Sequence, residues 1–226
     1  MPKNTTKNTI KKHTGFLITL EGGEGGGKST QMPLLQQRFE AAGIPVLVLR
    51  EPGGTVISEQ IREVVLSAKN TGIANTAEVM LFQAARAQIY HELVLPALAA
   101  GKIVLMDRSR DSSVVYQGMV RGFGKDLIEK LNNFSTQETY PDLTLLLDVS
   151  VQIGLGRRGK TDKMDRLDSA GTPFHEQVRK AYLELAADNA SGRWMVIDGS
   201  GSVTQVQELL WQAIVSRLPK TLKPTA

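Results

Sequence analysis

The chain contains no cysteine among its 226 residues. This absence excludes disulfide bonds, thiolate catalysis and thiolate-bound metals, and it is typical of proteins from a reducing cytoplasm. The chain also lacks any apolar run near the roughly 20 residues that a membrane-spanning helix needs. Its lysine-rich first residues are not followed by the apolar segment of a secretory signal. We therefore expect a cytoplasmic protein that does not enter a membrane.

The positive net charge of +4 is concentrated at the two ends of the chain. The cations near the ends are Lys3, Lys7, Lys11, Lys12, Arg217, Lys220 and Lys223. The remaining body is slightly acidic, which does not match the basic surface that nucleic-acid binding requires. We interpret residues 1–14 as a disordered basic tail, 15–217 as one domain and 218–226 as a second tail. We expect no nucleic-acid partner.

Five short, nearly continuous apolar runs occur along the chain, at residues 16–20, 46–49, 103–106, 143–147 and 194–197. Such runs are typical of parallel strands that are buried on both faces. Segments of helical period lie between and after them, at 29–42, 57–68, 76–100, 172–190 and 203–217. The alternation predicts an α/β fold, with a five-stranded parallel sheet between two layers of helices. Ligands of such sheets bind beyond the carboxyl ends of the strands.

A glycine-rich loop follows the first predicted strand and reads G-G-E-G-G-G-K-S from Gly22 to Ser29. It matches the phosphate-binding pattern G-x-x-x-x-G-K-[ST], in which backbone amides and a helix N-terminus surround phosphates. We predict that Lys28 contacts the β- and γ-phosphates of ATP and that Ser29 binds Mg²⁺. Glu24 would reach a sugar hydroxyl or the metal. The residues predicted to bind ATP are Gly22, Gly23, Glu24, Gly25, Gly26, Gly27, Lys28, Ser29 and Thr30.

Three predicted strands are followed at once by an aspartate: Asp107, Asp148 and Asp198. A strand-end acid is the usual second metal ligand of a phosphate-loop site. We assign that role to Asp107 because Arg108 follows it, and we expect the other two acids to cap the next helix. A second phosphate-bearing substrate would need its own guanidinium groups. The candidates near the strand ends are Arg50, Arg62, Arg86, Arg108 and Arg121.

Five further blocks, in order along the chain, resemble thymidylate kinases. They are R-E-P-G-G at 50–54, D-R-S-R-D-S-S-V-V-Y-Q-G at 107–118, P-D-L-T-L-L-L-D at 141–148, D-R-L-D at 165–168 and Y-L-E-L-A at 182–186. The resemblance runs from about residue 15 to residue 217 and implies the P-loop NTPase fold. It also implies a Mg²⁺-dependent transfer of the γ-phosphate of ATP to dTMP, giving dTDP, by a homodimer.

The resemblance also implies roles for individual residues. Phe82 would stack on thymine, Arg86 would donate to a base carbonyl, and Ser113 and Gln117 would lie at the base edge. Tyr116 would crowd the sugar 2′ position. The implied substrate-binding set is Glu51, Arg62, Phe82, Arg86, Arg108, Ser113, Tyr116 and Gln117, with Arg62 and Arg108 on the dTMP phosphate. The implied catalytic set is Glu24, Lys28, Arg108, Arg158 and Arg166.

The predicted lid, at about 154–170, is rich in cations, as in the bacterial type of this family. A lid arginine would supply charge to the transferring phosphoryl group. Arg157, Arg158 and Arg166 remain alternatives for this role. The chain departs from the family pattern at Ser109, Val115 and Asp168. We expect Ser109 to give a looser wall of the acceptor site and Val115 to tighten the space behind Tyr116. The Asp168 side chain should reach less far than the glutamate of the family pattern.

Two other functions are compatible with a phosphate loop. A deoxynucleoside kinase would phosphorylate an uncharged nucleoside and would not need arginines for an acceptor phosphate. A regulatory nucleotide-binding module could retain the glycines and lose the catalytic charges. Lys28, Ser29, Asp107 and Arg108 are all present, which disfavours the second alternative.

Overall fold

The computed structural model describes residues 13–158 and 171–223. Five strands form a single parallel sheet in the order β2-β3-β1-β4-β5. They are β1 Phe16–Glu21, β2 Val46–Arg50, β3 Ile103–Asp107, β4 Leu143–Asp148 and β5 Trp194–Asp198. All five predicted strands are confirmed, and each of them ends on the acid or arginine that follows the apolar run.

The helices of the described residues are α1 Lys28–Ala41, α2 Val56–Leu66, α3 Asn75–Ile89, α4 Leu95–Ala99, α5 Arg110–Ser113, α6 Lys125–Ser135, α7 Val151–Arg158, α8 Thr172–Ala187 and α9 Val203–Arg217. Two π-helical segments, Tyr90–Val94 and Val114–Val120, and a 3₁₀ turn, Lys220–Leu222, complete the regular structure. The predicted helix over 76–100 is therefore two helices joined by a π segment. The sequence analysis did not identify α5, α6 or α7.

The sheet is covered on both faces, which confirms the three-layer α/β/α architecture. On one face, Leu35 and Phe39 of α1 and Leu210 of α9 pack with Ile18 and Leu105 of the sheet. On the other face, α3, the first π segment and α4 pack against β1 and β3, and α8 packs near β4 and β5. Successive strand residues thus enter different cores, and burial of both faces explains why the strands are continuously apolar.

Residues 218–226 are not wholly a tail, in contrast to the prediction. Leu218 is buried, and Leu222 packs against the same core cluster as α9. Burial of Leu218 and partial burial of Leu222 favour an ordered chain up to the end of the 3₁₀ turn. The predicted N-terminal tail lies mostly outside the described residues.

The central strand β1 lies between β3 and β4, so its carboxyl end is the point where the chain order of the sheet reverses. The register places Leu20 beside Asp107 and Glu21 beside Leu146. A ligand crevice is expected at this position in an open α/β sheet. None of the described helices has both the length and the apolar character that a membrane span requires.

Candidate active site

A cleft of about 1030 Å³ opens at the carboxyl edge of the sheet. The glycine loop and the start of α1 line one side, and α2, α3 and the segment after β3 line the other. Every residue of the predicted substrate-binding set lines this cleft: Glu51, Arg62, Phe82, Arg86, Arg108, Ser113, Tyr116 and Gln117. The glycine-loop residues Glu24, Gly25, Gly26, Gly27, Lys28, Ser29 and Thr30 line it as well. The fold therefore brings together residues that are up to 133 positions apart in the sequence, from Glu24 to Arg157, which also lines the cleft.

The glycine loop has a backbone that side chains would not permit. Gly25 has φ of 66°, and a Cβ there would lie 1.9 Å from the carbonyl oxygen of Gly154 in α7. Gly27 has φ of 94° and is the N-cap of α1. The Lys28 Nζ donates to the carbonyl oxygens of Gly22 and Gly23, at 2.9 Å each. Burial lowers the pKa of Lys28, and the nearby Arg108 lowers it further.

Two oxygen groups at the base of the cleft fit Mg²⁺. Ser29, in the first turn of α1, and Asp107, at the end of β3, both line it. The Asp107 Oδ1 is buried and has no hydrogen-bond partner among the described residues. A hydroxyl and a carboxylate are the hard donors that Mg²⁺ takes beside phosphate and water. Within residues 13–158 and 171–223, no three acidic, histidine or cysteine residues are grouped so that they could hold a metal.

The other two strand-end acids do not cap helices, so that prediction is wrong. Asp148 accepts two hydrogen bonds from Arg179 of α8, at 2.8 and 2.9 Å. Asp198 accepts from the backbone N–H of Ser200 at 2.8 Å. Serines take the capping positions instead: the Ser150 hydroxyl accepts from an amide of α7, and Ser202 forms a capping box at α9. Both acids are too far from the first helical turn in sequence to cap it.

Arg108 lies between the glycine loop and the opposite wall. Its guanidinium donates to Glu24 at 2.5 Å and to the Gly22 carbonyl at 3.0 Å. It also lies 5.4 Å from the centre of the Tyr116 ring. Its backbone has φ of 64°, which is uncommon outside glycine. The structure thus places a cation where the two sides of the cleft meet.

Arg86 is almost completely buried on α3, at 2% exposure, and still reaches the cleft. Its Nε donates to Glu51 at 2.8 Å. Its two terminal nitrogens donate to Ser113, to Asn132 and to the Ser109 carbonyl. Burial raises the pKa of Glu51, and the ion pair with Arg86 opposes that rise. Glu51 was predicted to bind substrate; in the structure its carboxylate pairs with Arg86 and fixes the position of that guanidinium.

The second π segment directs residues to the cleft. Val114 and Val115 are fully buried in the core, whereas Tyr116 and Gln117, which follow, line the cleft. The Gln117 Nε2 donates to Glu78 at 2.9 Å. Because a carboxylate can only accept, this bond sets which end of the amide faces Glu78 and leaves the carbonyl for other partners. π segments are frequent at functional sites because they rotate side chains out of the α-helical register.

The remaining arginine candidates differ in position. Arg62 lines the cleft and donates to the Pro52 carbonyl at 2.8 Å. Arg50 also lines it, but its guanidinium is held by both carboxylate oxygens of Glu59. Arg121 is not among the lining residues, and its guanidinium lies over the Phe174 ring. The structure therefore places Arg121 outside the cleft lining, and its role at an acceptor-phosphate site stays a prediction.

Of the lid candidates, only the side chain of Arg157 is described. It lines the cleft and donates to the carbonyl oxygens of Gly199, Ser200 and Gly201. The Arg158 side chain, Arg166 and Asp168 lie outside the described part of the chain. The choice among the lid arginines stays a prediction.

The two other departures from the family pattern are described. Ser109 is fully buried, and its hydroxyl lies 3.0 Å from that of Tyr90, which is also fully buried. The wall at Ser109 is therefore backed by an aromatic ring from the first π segment. Val115 is in the core behind Tyr116 and does not line the cleft.

Sequence reasoning missed the acids behind the cleft. Glu21, the last residue of β1, is fully buried and accepts hydrogen bonds from Ser112 and Tyr182. Burial, with a smaller effect of Asp111, raises its pKa to about 7. The signal was present, because Glu21 ends an apolar strand and directly precedes the glycine loop. Glu78 gave no comparable signal, since its position on α3 reads as an ordinary helix acid.

The fold and the site together define a P-loop nucleotide kinase: a glycine loop for one set of phosphates faces guanidinium groups for another anion. The family model described as thymidylate kinase matches residues 20–210. A thymidylate kinase of Citrifermentans bemidjiense is 44% identical over 210 residues, which cover 90% of this chain and 93% of that relative. The chain therefore belongs to the thymidylate kinase family.

Other relatives agree with this assignment. A thymidylate kinase of Trichlorobacter lovleyi is 45% identical over 209 residues, covering 90% of this chain and 98% of the relative. The crystal structure of thymidylate kinase from Ehrlichia chaffeensis superposes with a TM-score of 0.72 at 29% identity. That match covers 88% of this chain and 98% of the other, so the whole domain is shared.

Proposed function

We propose that this protein is an ATP-dependent kinase that transfers the γ-phosphate of ATP to dTMP, giving dTDP and ADP. The observation that carries the proposal is the pairing of two anion-binding sides in one cleft. Backbone amides and Lys28 form one side, and Arg62 and Arg108 lie on the other. A phosphoryl group can pass in line between two nucleotides only if both phosphates are held in such a shared space.

The base pocket supports a pyrimidine nucleotide as the acceptor. Phe82, Arg86 and Ser113 all line the cleft; the Phe82 ring would supply a face for stacking, and the other two would supply polar groups at the base edge. An apolar face with a few placed polar groups is the usual composition of a small-ligand pocket. Tyr116 lines the same cleft, and in this proposal it would crowd the sugar 2′ position and so favour deoxyribose.

Mg²⁺ is proposed as the metal that accompanies ATP, with Ser29 and Asp107 as the protein groups near it. The metal would neutralise charge that develops between the β- and γ-phosphates. Lys28 and one of Arg157, Arg158 and Arg166 would add positive charge to the transferring group, and Glu24 would orient Arg108 or the metal. We also propose a cytoplasmic location. The nucleotide substrates and the absence of cysteine both agree with it.

Steady-state assays with dTMP, dUMP, thymidine and UMP test the function. We expect ATP consumption that requires both dTMP and Mg²⁺, with weaker turnover of dUMP and none of thymidine. Turnover of thymidine without turnover of dTMP would establish the deoxynucleoside kinase instead. Nucleotide binding without any acceptor-dependent ATP consumption would identify a regulatory module.

A further inference from the structure

We propose that Glu21 is a positioning residue for Arg108. Its buried carboxyl group holds the backbone and the side chain of Arg108 in the conformation that faces the acceptor phosphate. The inference rests on the proposed function, in which Arg108 binds the phosphate of dTMP. Glu21 itself does not line the cleft, so it acts only through its neighbours.

The first contact acts on the backbone. Arg108 has φ of 64°, a left-handed conformation that costs a non-glycine residue on the order of 1 kcal/mol. The end of β1 holds both amides around this residue. The Arg108 N–H donates to the Leu20 carbonyl at 2.9 Å, and the Ser109 N–H donates to the Glu21 Oε1 at 2.9 Å. Without the Glu21 acceptor, the second amide would lose its buried partner.

The second contact acts on the guanidinium. The Glu21 Oε2 accepts from the Ser112 hydroxyl at 2.6 Å and from the Tyr182 hydroxyl at 2.8 Å. Arg108 donates to the same two hydroxyl oxygens, at 3.4 and 3.1 Å. Each hydroxyl has a single hydrogen, so one that donates to Glu21 presents only lone pairs to Arg108. The two hydroxyl oxygens also lie 2.8 Å apart, so one hydroxyl donates to Glu21 and the other donates to Glu21 or to its neighbour. In either arrangement both hydroxyls present lone pairs to the guanidinium, and the Glu21 carboxyl group completes the network that orients them.

Burial explains why this arrangement is specific. Glu21 is fully buried and Tyr182 nearly so. A buried carboxyl group without hydrogen-bond partners would be energetically costly. Glu21 and the groups that donate to it therefore fix each other's positions. The network joins β1, the segment after β3 and α8. If Glu21 only stabilised the fold by joining these elements, its replacement would not change the affinity for dTMP selectively over that for ATP.

The test compares Glu21→Gln with Thr19→Val, each assayed for KM of dTMP and of ATP. Thr19 lies on the same face of β1 and is fully buried, and among the described residues its hydroxyl bonds only to the Thr144 hydroxyl, at 3.1 Å. We expect Glu21→Gln to raise the KM for dTMP about tenfold, the scale of losing one hydrogen bond to a charged group. The KM for ATP should change less than about twofold. Thr19→Val should lower the melting temperature and leave both KM values as they are.

Two further variants separate the possible failures. Tyr182→Phe removes one hydroxyl from the network, so it remains informative if Glu21→Gln does not fold; we expect a smaller rise of the same KM. Arg108→Ala should raise the KM for dTMP, and adding Glu21→Gln to it should have no further effect.

If Arg108→Ala leaves the KM for dTMP unchanged, the role of Arg108 and the inference fail together. If Arg108→Ala raises it but Glu21→Gln and Tyr182→Phe change only stability, the positioning role alone is wrong. A wild-type protein that does not turn over dTMP contradicts the proposed function before any variant is made.

Discussion

Single side chains in the cleft are placed by partners that the motifs do not show. The motif resemblance identifies Arg86 as a base contact, but the structure shows that most of its donors are already bonded within the protein. Its partners Glu51 and Asn132 lie 35 and 46 positions away in sequence. Replacing Arg86 would leave a buried carboxylate unpaired and would destabilise the fold as well as the site. A cleaner test of the base pocket therefore uses Phe82.

Phe82→Leu should weaken acceptor binding without affecting the fold. The ring lines the cleft and is only partly buried, so leucine keeps its apolar contacts and removes the stacking face. Stacking of a base on an aromatic side chain is worth roughly 1–3 kcal/mol, so we expect the KM for dTMP to rise about tenfold. Isothermal titration with dTMP and with an ATP analogue measures both affinities. Phe16→Leu, at the opposite end of β1, is the matched control, and an equal change of ATP affinity would contradict the assignment.

Sequence motifs predicted the residues whose role depends on local backbone geometry. They did not predict the features that depend on tertiary contacts. The glycine loop was predictable because backbone approach to phosphates requires glycine at fixed spacing. The left-handed backbone of Arg108 was not, because it is held by β1, whose last residue is 87 positions away in sequence. The capping role given to Asp148 failed for the same reason, since its partner Arg179 comes from another helix. Asp198 failed for a local reason, because it accepts from the backbone of Ser200, and α9 begins only after Ser202.

At the scale of elements, apolar runs were sufficient to predict all five strands, whereas α7 was hidden by its composition. The helix contains Gly154 and Gly156, and glycine lowers helix propensity. The structure explains why position 154 is a glycine. A Cβ on Gly154 would lie 2.3 Å from the carbonyl oxygen of Glu24, so α7 touches the backbone of the glycine loop. The π segments were equally hidden, because no local pattern distinguishes them from α-helix.

Gly154→Ala should displace the glycine loop. The added methyl group cannot be accommodated against a backbone oxygen, and such overpacking costs typically 1–3 kcal/mol. We expect a higher KM for ATP and a lower melting temperature. Gly156→Ala in the same helix is the control, because a Cβ there meets nothing within 4 Å. It should keep the KM for ATP and stabilise the helix by up to about 1 kcal/mol. Equal behaviour of the two variants would show that contact with the loop is unimportant.

On the scale of the whole molecule, the exposed apolar side chains are unevenly placed. Helices α2, α3 and α6 carry Val56, Val64, Met80 and Phe134, of which Phe134 is 88% exposed. α3 packs against both α2 and α6, so these residues belong to one layer. Apolar groups exposed in this way mark association surfaces. We propose that this layer forms the contact of a homodimer.

Met80→Glu tests the homodimer. Met80 is 59% exposed near the middle of α3, and a charge there would be buried in the contact without a partner. Sedimentation velocity should show a dimer for the wild-type protein and a monomer for the variant. Leu209→Glu, at an exposed apolar position of α9 on the opposite layer, should remain dimeric. A wild-type protein that sediments as a monomer would overturn the proposal.

The stability of the whole molecule should depend on pH through Glu21. Burial, then repulsion by Asp111, raises the pKa of this carboxyl group from its ordinary 4.5 to about 7, against the opposing effects of Ser112, Arg108 and Tyr182. The titratable and charged groups around it are Lys28, Arg108, Asp111, Tyr116, Tyr182 and Arg193. Since the folded state binds this proton more tightly than the unfolded state, the contribution of Glu21 is fully present below about pH 4.5. It is lost as the pH rises to about 7.

Urea unfolding of the wild-type protein and of Glu21→Gln, at a series of pH values, measures this contribution. Glutamine does not titrate, and the other acids are common to both proteins, so the difference in unfolding free energy isolates Glu21. That difference should shift in favour of the variant by up to about 3 kcal/mol between pH 4.5 and pH 7, at about 1.4 kcal/mol per pH unit. Above pH 8 it should be constant, because the carboxyl group is then ionised in both states. A difference that does not change with pH would mean that Glu21 is ionised throughout, and that its hydrogen bonds to Ser112 and Tyr182 outweigh its burial.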